Sequence, residues 1–269
     1  MGREKKGNAM AYEFITVARE GPVTTVMLNR PQVMNALHSP AHFELAEAFD
    51  AFAADPDQWV AIVTGAGERA FSAGNDLKHQ ASGGVMQSPP SGFAGLTLRF
   101  DLTKPLIAAV NGVAMGGGFE IALACDVIVA SEAAVFALPE PRVGLAALAG
   151  GLHRLPRAIG TKRAMGMILT GRRVSAAEGL ELGFVNEVVA AGELMAAAKR
   201  WAAQICELSP MSIRASKQAV YQGLDEPTLE AAIKGQNRYP AVAALYRSED
   251  FVEGPLAFSQ KRPPAWKGR

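Results

Sequence analysis

Three short runs of unbroken apolar sequence constrain this chain most: WVAIVT at 59–64, LIAAV at 106–110 and VIVA at 127–130. A strand with one wet face alternates polar and apolar side chains, whereas a strand covered on both faces reads as one continuous Val/Ile/Leu/Ala run. Gly65 and Gly67 close the first run, and Asn111-Gly112 closes the second. Helical patterns stand before and between them. Ser39-Pro40 supplies an N-cap and a first-position proline, followed by Phe43, Ala46, Phe49 and Phe52 at helical spacing. A hairpin signal, 14–18 and 23–28 around Gly21-Pro22, precedes that helix. This alternation predicts an α/β protein whose sheet is covered on both faces. After about residue 155 the strand signal fades. Ser175-Ala-Ala-Glu178 forms a capping box, and 193–206, 210–221 and 228–239 read as helices, so the last third is largely helical. No internal repeat and no separating linker is visible, and 269 residues are ample for one packed core.

Charge narrows the function. Lys+Arg is 27 and Asp+Glu is 26, a net +1 that gives no reason to expect nucleic acid or an acidic membrane as partner. Only the ends are locally basic: Arg3, Lys5 and Lys6, which read as a solvated terminus, and then Lys261, Arg262, Lys267 and Arg269. MGREKKGNAM lacks the apolar segment of a signal peptide, with Met10 as an alternative start, and no run approaches the ~18 apolar residues of a membrane span. Cys125 and Cys206 stand in apolar, helix-like settings without a CxxC pair, as free thiols in a reducing compartment would; the expected location is cytoplasmic. His38 and His42 are four apart, but Pro40 starts the helix after His38 and no third ligand is near, so no metal is expected. GxSxG, GxGxxG and GxxxxGK[ST] are absent. Met165, Met167 and Met211 read as core or subunit contacts.

Three stretches break local rules. In NGVAMGGGFEIALACD, 111–126, three glycines open a helix and Glu120 sits inside an apolar run. A helix N-terminus carries unpaired N–H groups, and glycine lets a ligand reach them. Glu120 follows Gly117 by three residues, which puts a carboxylate one turn from such a donor. The same glycines also suit a tight helix–strand contact, with Glu120 simply exposed; the stretch alone does not decide. AFSAGNDLK, 70–78, offers a second free N–H at Asn75 after Gly74, or an ordinary turn with Asp76 solvated. In FALPEPRVGLAALAGG, 136–151, Pro139 and Pro141 fix the backbone around Glu140 and so aim its carboxylate, unless it is a plain loop acid.

In this order and at these spacings, FSAGNDL, NGVAMGGGFEIALACD and FALPEPRVGL…GG strongly resemble the enoyl-CoA hydratase/isomerase (crotonase) superfamily. The likeness runs from VMLNRPQVMNAL to GPLAFSQKRPPAW, nearly the whole chain. It implies a crotonase-like spiral of ββα repeats over 11–200 and a helical C-terminal region over 201–269 that drives homotrimers, often paired into hexamers. The implied partner is an acyl-CoA thioester, with no cofactor beyond the coenzyme A of the substrate itself. By position, the Asn75 and Gly117 N–H groups match the family's oxyanion hole. Glu120 and Glu140 match its two hydratase acids, Glu120 chiefly the base and Glu140 chiefly the proton donor. Ala73, Asn75, Asp76, Leu77 and Lys78 match a CoA-contacting stretch, and Lys261, beside Phe258, matches a lysine that reaches CoA phosphate. The implied reaction is hydration of a trans-2-enoyl-CoA. Carnitinyl-CoA dehydratase, enoyl-CoA isomerase and a non-catalytic acyl-CoA-binding homologue are the alternatives. Leu148 departs from the pattern: hydratases often have a small residue there, near the water site, and carnitinyl-CoA dehydratases an aspartate. The terminal SEDFVEGPLAFSQKRPPAWKGR nevertheless looks like the carnitinyl-CoA dehydratase branch.

Overall fold

The predicted hairpin forms from β1 (Ile15–Glu20) and β2 (Val23–Leu28), antiparallel and in register from Ile15 opposite Leu28 to Glu20 opposite Val23. It belongs to a computed structural model that describes residues 12–269. Arg3, Lys5, Lys6, Met10 and the first position of the 11–200 core lie outside the described residues. Helix α1 (Ser39–Ala54) then leads into β3 (Val60–Gly65). From β3 onward the chain makes a regular circuit. Each turn lays one strand in a large sheet, a three-residue strand in a small sheet, and then a helix. The first is β3, β4 (Ala70–Ser72) and α2 (Leu77–Ala81). The second is β5 (Leu106–Val110), β6 (Val113–Met115) and α3 (Gly117–Ala124). The third is β7 (Val127–Ser131), β8 (Val135–Ala137) and a 3₁₀ turn, Glu140–Val143. Helices α4 (Gly151–Ile159) and α5 (Thr161–Thr170) follow.

This is the ββα spiral. Its repeat is invisible in the sequence because β4, β6 and β8 are too short to show a period. Strand signals past residue 155 were also too short to read: β9 (Val174–Ser175) closes the small sheet, and β10 (Glu187–Val189) closes the large one after α6 (Ala176–Leu182). The large sheet runs β1-β2-β3-β5-β7-β10, parallel from β2 onward, and the small one runs β4-β6-β8-β9.

Side-chain parity explains the unbroken apolar runs. Ala61, Val63, Leu106, Ala108, Val110, Ile128 and Ala130 face the main core, which holds Phe49, Phe71, Phe119 and Phe136. Their alternates Val60, Ile62, Ile107, Ala109 and Val129 face a second core, closed by Leu194, Ala197, Ala198 and Ala202 of α7 (Leu194–Cys206). Both faces are therefore dry. The boundary expected between 200 and 201 lies within α7, which packs along β3, β5 and β7. Four helices end the chain: α8 (Pro210–Leu224), α9 (Leu229–Gly235), α10 (Pro240–Leu245) and α11 (Glu249–Ser259). The helix predicted over 228–239 stops at Gly235 and passes into a 3₁₀ turn, Gln236–Arg238.

Two local expectations change. His38, not Ser39, takes the N-cap position of α1. The Ser39 hydroxyl is spent on the loop instead: it donates to Val85 O and accepts from Gln87 N, both at 2.6 Å. The capping box of α6 is half made, with Ser175 Oγ accepting from Glu178 N at 3.2 Å, while the Glu178 carboxylate pairs with Arg172. Cys125 is a buried free thiol and Cys206 a partly buried one. Met167 is buried in the core, whereas Met165 is exposed. Among the described residues no helix is long and apolar enough to cross a membrane.

Candidate active site

The site begins with an arginine and an asparagine far from it in sequence. Arg30 donates to Asp76 Oδ2 at 2.9 Å. Asn35, fully buried with φ 53, accepts from Arg30 N and donates to Ala66 O and Ala70 O. Its own carbonyl accepts from Ser72 Oγ at 2.8 Å, and that hydroxyl accepts from Gly74 N at 3.1 Å. Ala73 N–H donates to Met34 O. This lattice, written in the VMLNRPQVMNAL stretch, holds the turn after β4.

Asn75 is the residue so held. It forms an isolated parallel bridge with Leu37, in which Leu37 N–H donates to Gly74 O and Asp76 N–H donates to Leu37 O. In a parallel bridge those two bonds flank the middle residue, so the Asn75 N–H faces the other way. The start of α3 lies close to this turn. A Cβ on Gly74, whose φ is 84, would stand 2.8 Å from Gly117 N and 2.6 Å from Met115 O. Gly117 opens α3, so its N–H has no acceptor within the helix. No hydrogen bond among the described residues engages either N–H.

Each of the three glycines has its own neighbour. A Cβ on Gly116 would meet Glu140 Oε1 at 2.7 Å, one on Gly117 the Phe93 ring at 2.5 Å, and one on Gly118 the Ser72 carbonyl oxygen at 2.0 Å. The tight helix–strand contact and the ligand-accessible helix start are thus both true, on successive residues.

Glu120 lies one turn along α3, its N–H donating to Gly116 O. It is buried, 4% exposed, and Oε1 accepts from Gly151 N at 2.8 Å. Gly151 is the first residue of α4, so the carboxylate sits on the positive end of that helix. Burial pushes its pKa up; the Gly151 and Ala149 N–H groups and the Arg154 guanidinium resist, the nearby Glu140 carboxylate adds to the rise, and it ends at about 7. Glu140 starts the 3₁₀ turn beyond β8, between Pro139 and Pro141. Burial pushes its carboxyl up as well, and Oε2 is buried with no hydrogen-bond partner. Two carboxyls with raised pKa values therefore stand at the mouth of one helix, beside two unengaged N–H donors. Such a site can move protons at neutral pH while holding a developing oxyanion.

The remaining expected residues fall outside this centre. Asp76 caps α2 by accepting from His79 N at 3.1 Å and pairs with Arg30; burial raises its pKa, and these partners outweigh that and lower it. Its carboxylate is thus engaged by the α2 N-terminus and by Arg30. Leu77 and Lys78 are exposed on α2, and Ala73 is half-buried. Leu148 lies three residues before Gly151, but its side chain is 80% exposed. Phe258 lies near the end of α11, which packs on α8, and Lys261 lies just beyond it; the Phe258 side chain is 87% exposed. Three participants escaped the sequence reading. Gly151 anchors Glu120, Phe93 covers Gly117, and Arg154 adds positive charge near Glu120. Gly150-Gly151 before a helix was a usable signal for the first, since it repeats the glycine-then-helix pattern of α3; Phe93 falls in the Gly-, Ser- and Pro-rich stretch 79–95, whose composition marks a loop beside a site but does not single out this ring.

Comparison with known proteins agrees with this geometry. The family model described as enoyl-CoA hydratase/isomerase matches residues 18–269. A carnitinyl-CoA dehydratase of Salmonella typhi is 46% identical over 264 residues, covering 96% of this chain and 99% of its own. Among solved structures, an enoyl-CoA hydratase from Mycobacterium tuberculosis H37Rv superposes with TM-score 0.89 at 35% identity, covering 95% of this chain and 99% of its own. A carnitinyl-CoA hydratase from Mycobacterium avium does so with TM-score 0.76 at 39% identity, over 95% and 99%. Sequence, spiral and the two-acid helix mouth converge, and the chain belongs to the enoyl-CoA hydratase/isomerase family of the crotonase superfamily.

Proposed function

We propose that the protein is a hydro-lyase that adds water across the 2,3-double bond of a trans-2-enoyl-CoA and, in reverse, removes it from a 3-hydroxyacyl-CoA. One observation carries this reading: Glu120 and Glu140 both have pKa values raised by burial at the mouth of α3, next to the Asn75 and Gly117 N–H groups. Those two N–H groups receive the thioester oxygen. The Glu120 carboxylate takes a proton from water, and the water oxygen bonds to C3. The C2–C3 π electrons move toward the carbonyl, whose oxygen gains charge against the two donors. Protonated Glu140 then delivers its proton to C2. The cycle closes when the proton gained by Glu120 is returned to Glu140, directly or by exchange of one proton out to solvent and one back in. A pair so close is best treated as one titrating unit in its resting state.

The test is loss of enoyl absorbance from crotonyl-CoA. Glu120→Gln and Glu140→Gln are each expected to lose roughly 10²-fold or more in kcat, the scale of a lost acid or base. In the wild type, kcat/KM is expected to climb as pH rises through about 7, where Glu120 ionises. A variant with full activity overturns the assignment. A wild type that binds acyl-CoA yet never turns over overturns hydration in favour of a binding homologue.

A second reading is dehydration of carnitinyl-CoA, favoured by the 46% identical relatives of that name. Leu148, where that branch has an aspartate, weighs against it. Parallel assays with crotonyl-CoA and carnitinyl-CoA separate the two by their kcat/KM ratio.

A further inference from the structure

Outside the two acids, the buried imidazole of His42 has no part in the chemistry above. It sits on α1, 1% exposed, and its Nδ1 accepts from Ala94 N at 3.0 Å. The bond requires the lone pair on Nδ1, so the proton is on Nε2. Ala94 is itself unusual: φ 55 and ψ 22 put a non-glycine residue in the left-handed region. Nothing about alanine favours that conformation, so the surroundings must hold it. They do so from α1. A Cβ on the next residue, Gly95, would strike Ala46 N at 2.3 Å, so the turn lies directly against the helix. Arg99 ties it down by donating to Gly95 O and Ala46 O.

The strained turn delivers one side chain. Phe93 precedes Ala94, and its ring lies 4.4 Å centroid to centroid from the His42 ring on one side. On the other side it is the ring that a Cβ on Gly117 would meet at 2.5 Å. One imidazole therefore touches both the bond that fixes the turn and the ring that the turn presents at Gly117.

We infer that His42 is a positioning residue for substrate selection: by holding the left-handed Ala94 turn, it sets the Phe93 ring as a wall beside the Gly117 N–H, which excludes acyl groups branched at the carbon next to the thioester. This rests on the acyl-CoA reading above. A thioester oxygen on the Gly117 N–H brings its C2 close to that ring, whereas more distant chain atoms lie beyond it. The wall acts on C2 bulk.

Saturated thioesters test this without turnover. Dissociation constants for butyryl-CoA and 2-methylbutyryl-CoA are measured calorimetrically on wild type, His42→Leu, His42→Gln, Phe93→Ala, and His42→Leu combined with Ala94→Gly. Wild type is expected to prefer the straight chain. His42→Leu and Phe93→Ala should each narrow that preference at least threefold. His42→Gln, which keeps an acceptor for Ala94 N–H, should retain it. Ala94→Gly should restore it in the His42→Leu background, because glycine adopts the left-handed turn unaided. An unchanged preference in His42→Leu despite lower thermal stability makes His42 a purely structural residue and overturns the inference; so does narrowing that Ala94→Gly fails to reverse. If His42→Leu does not fold, Phe93→Ala decides, and no change in its preference overturns the inference. A wild type that binds neither thioester overturns the acyl-CoA reading and this one with it; a wild type that binds both, with variants unmoved, overturns this one alone.

Discussion

Glu120 stores free energy as well as chemistry. A carboxyl whose folded pKa lies above its unfolded value binds its proton more tightly when folded. Its contribution to stability is therefore full below pH 4.5 and is lost as pH rises through about 7. At pH 8 the ionised, buried group is a burden of about 3 kcal/mol, since one pKa unit is 1.36 kcal/mol. Glutamine is isosteric and keeps an oxygen for the Gly151 N–H. Glu120→Gln is accordingly expected to raise the melting temperature at pH 8, with the gain vanishing by pH 4.5; equal melting temperatures at pH 8 would show the carboxylate is better solvated than its burial indicates. Gly118 is the opposite case, a residue with no spare room. A methyl there would lie 2.0 Å from the Ser72 carbonyl oxygen, a backbone atom that β4 holds in place. Gly118→Ala is expected to lose about 3 kcal/mol or more by the strain of overpacking, read from denaturant unfolding. A loss under 1 kcal/mol would mean that α3 can slide.

At the scale of elements, the turn at Asn75, proposed above to hold the thioester oxygen, is held by α2 and by the 27–37 segment. Asp76 caps α2 and clamps Arg30, and Arg30 also donates to Ala36 O next to Leu37, the bridge partner of Asn75. Asp76→Ala removes one cap, worth about 1 kcal/mol, and strands a half-buried guanidinium at about 1–3 kcal/mol. The expected signature is faster amide exchange over 75–81, with a fall in kcat exceeding the rise in KM, because the Asn75 N–H proposed to meet developing charge would be misplaced. A rise in KM alone would mean that the turn is rigid without α2. Elements also show where sequence reading stops. The runs that became β3, β5 and β7 were legible because both faces are dry over five or six residues. The strands β4, β6, β8 and β9 carry two or three residues each, fixed by ladder bonds to distant partners. No local pattern encodes such a strand, and without those strands the ββα repeat disappears.

At the scale of the whole molecule, the C-terminal helices leave much apolar surface uncovered. Leu224, Leu229, Ile233, Val252 and Phe258 are each more than half exposed on or between α8 and α11. Exposure of this kind marks contact surfaces rather than monomer surfaces. The expected state in solution is a homotrimer or a pair of trimers, checked by light scattering coupled to size exclusion; a monomer at micromolar concentration would refute it. The spiral also explains how sites scattered over the chain converge. Parallel pairing stacks the ends of β4, β6 and β8 side by side, Met115 opposite Ala137. The residues just past those ends are Ala73 to Asn75, Gly116 to Gly117, and Leu138 to Glu140. Three turns of the same handed path thus empty onto one edge.

By itself, the sequence determined the chemistry on offer: glycines at a helix start, two acids in apolar surroundings, a free N–H after Gly74, and strands dry on both faces. These are local properties, set by backbone freedom, burial cost and short-range spacing. Tertiary structure alone decided what each group faces. It put Glu140 against Gly116, gave Glu120 the N-terminus of α4, committed Asp76 to Arg30, and turned Leu148 outward. It also brought Phe93 onto Gly117 through an alanine held in the left-handed region by His42. Those outcomes depend on contacts between residues tens of positions apart, where packing and hydrogen bonding outweigh every local preference.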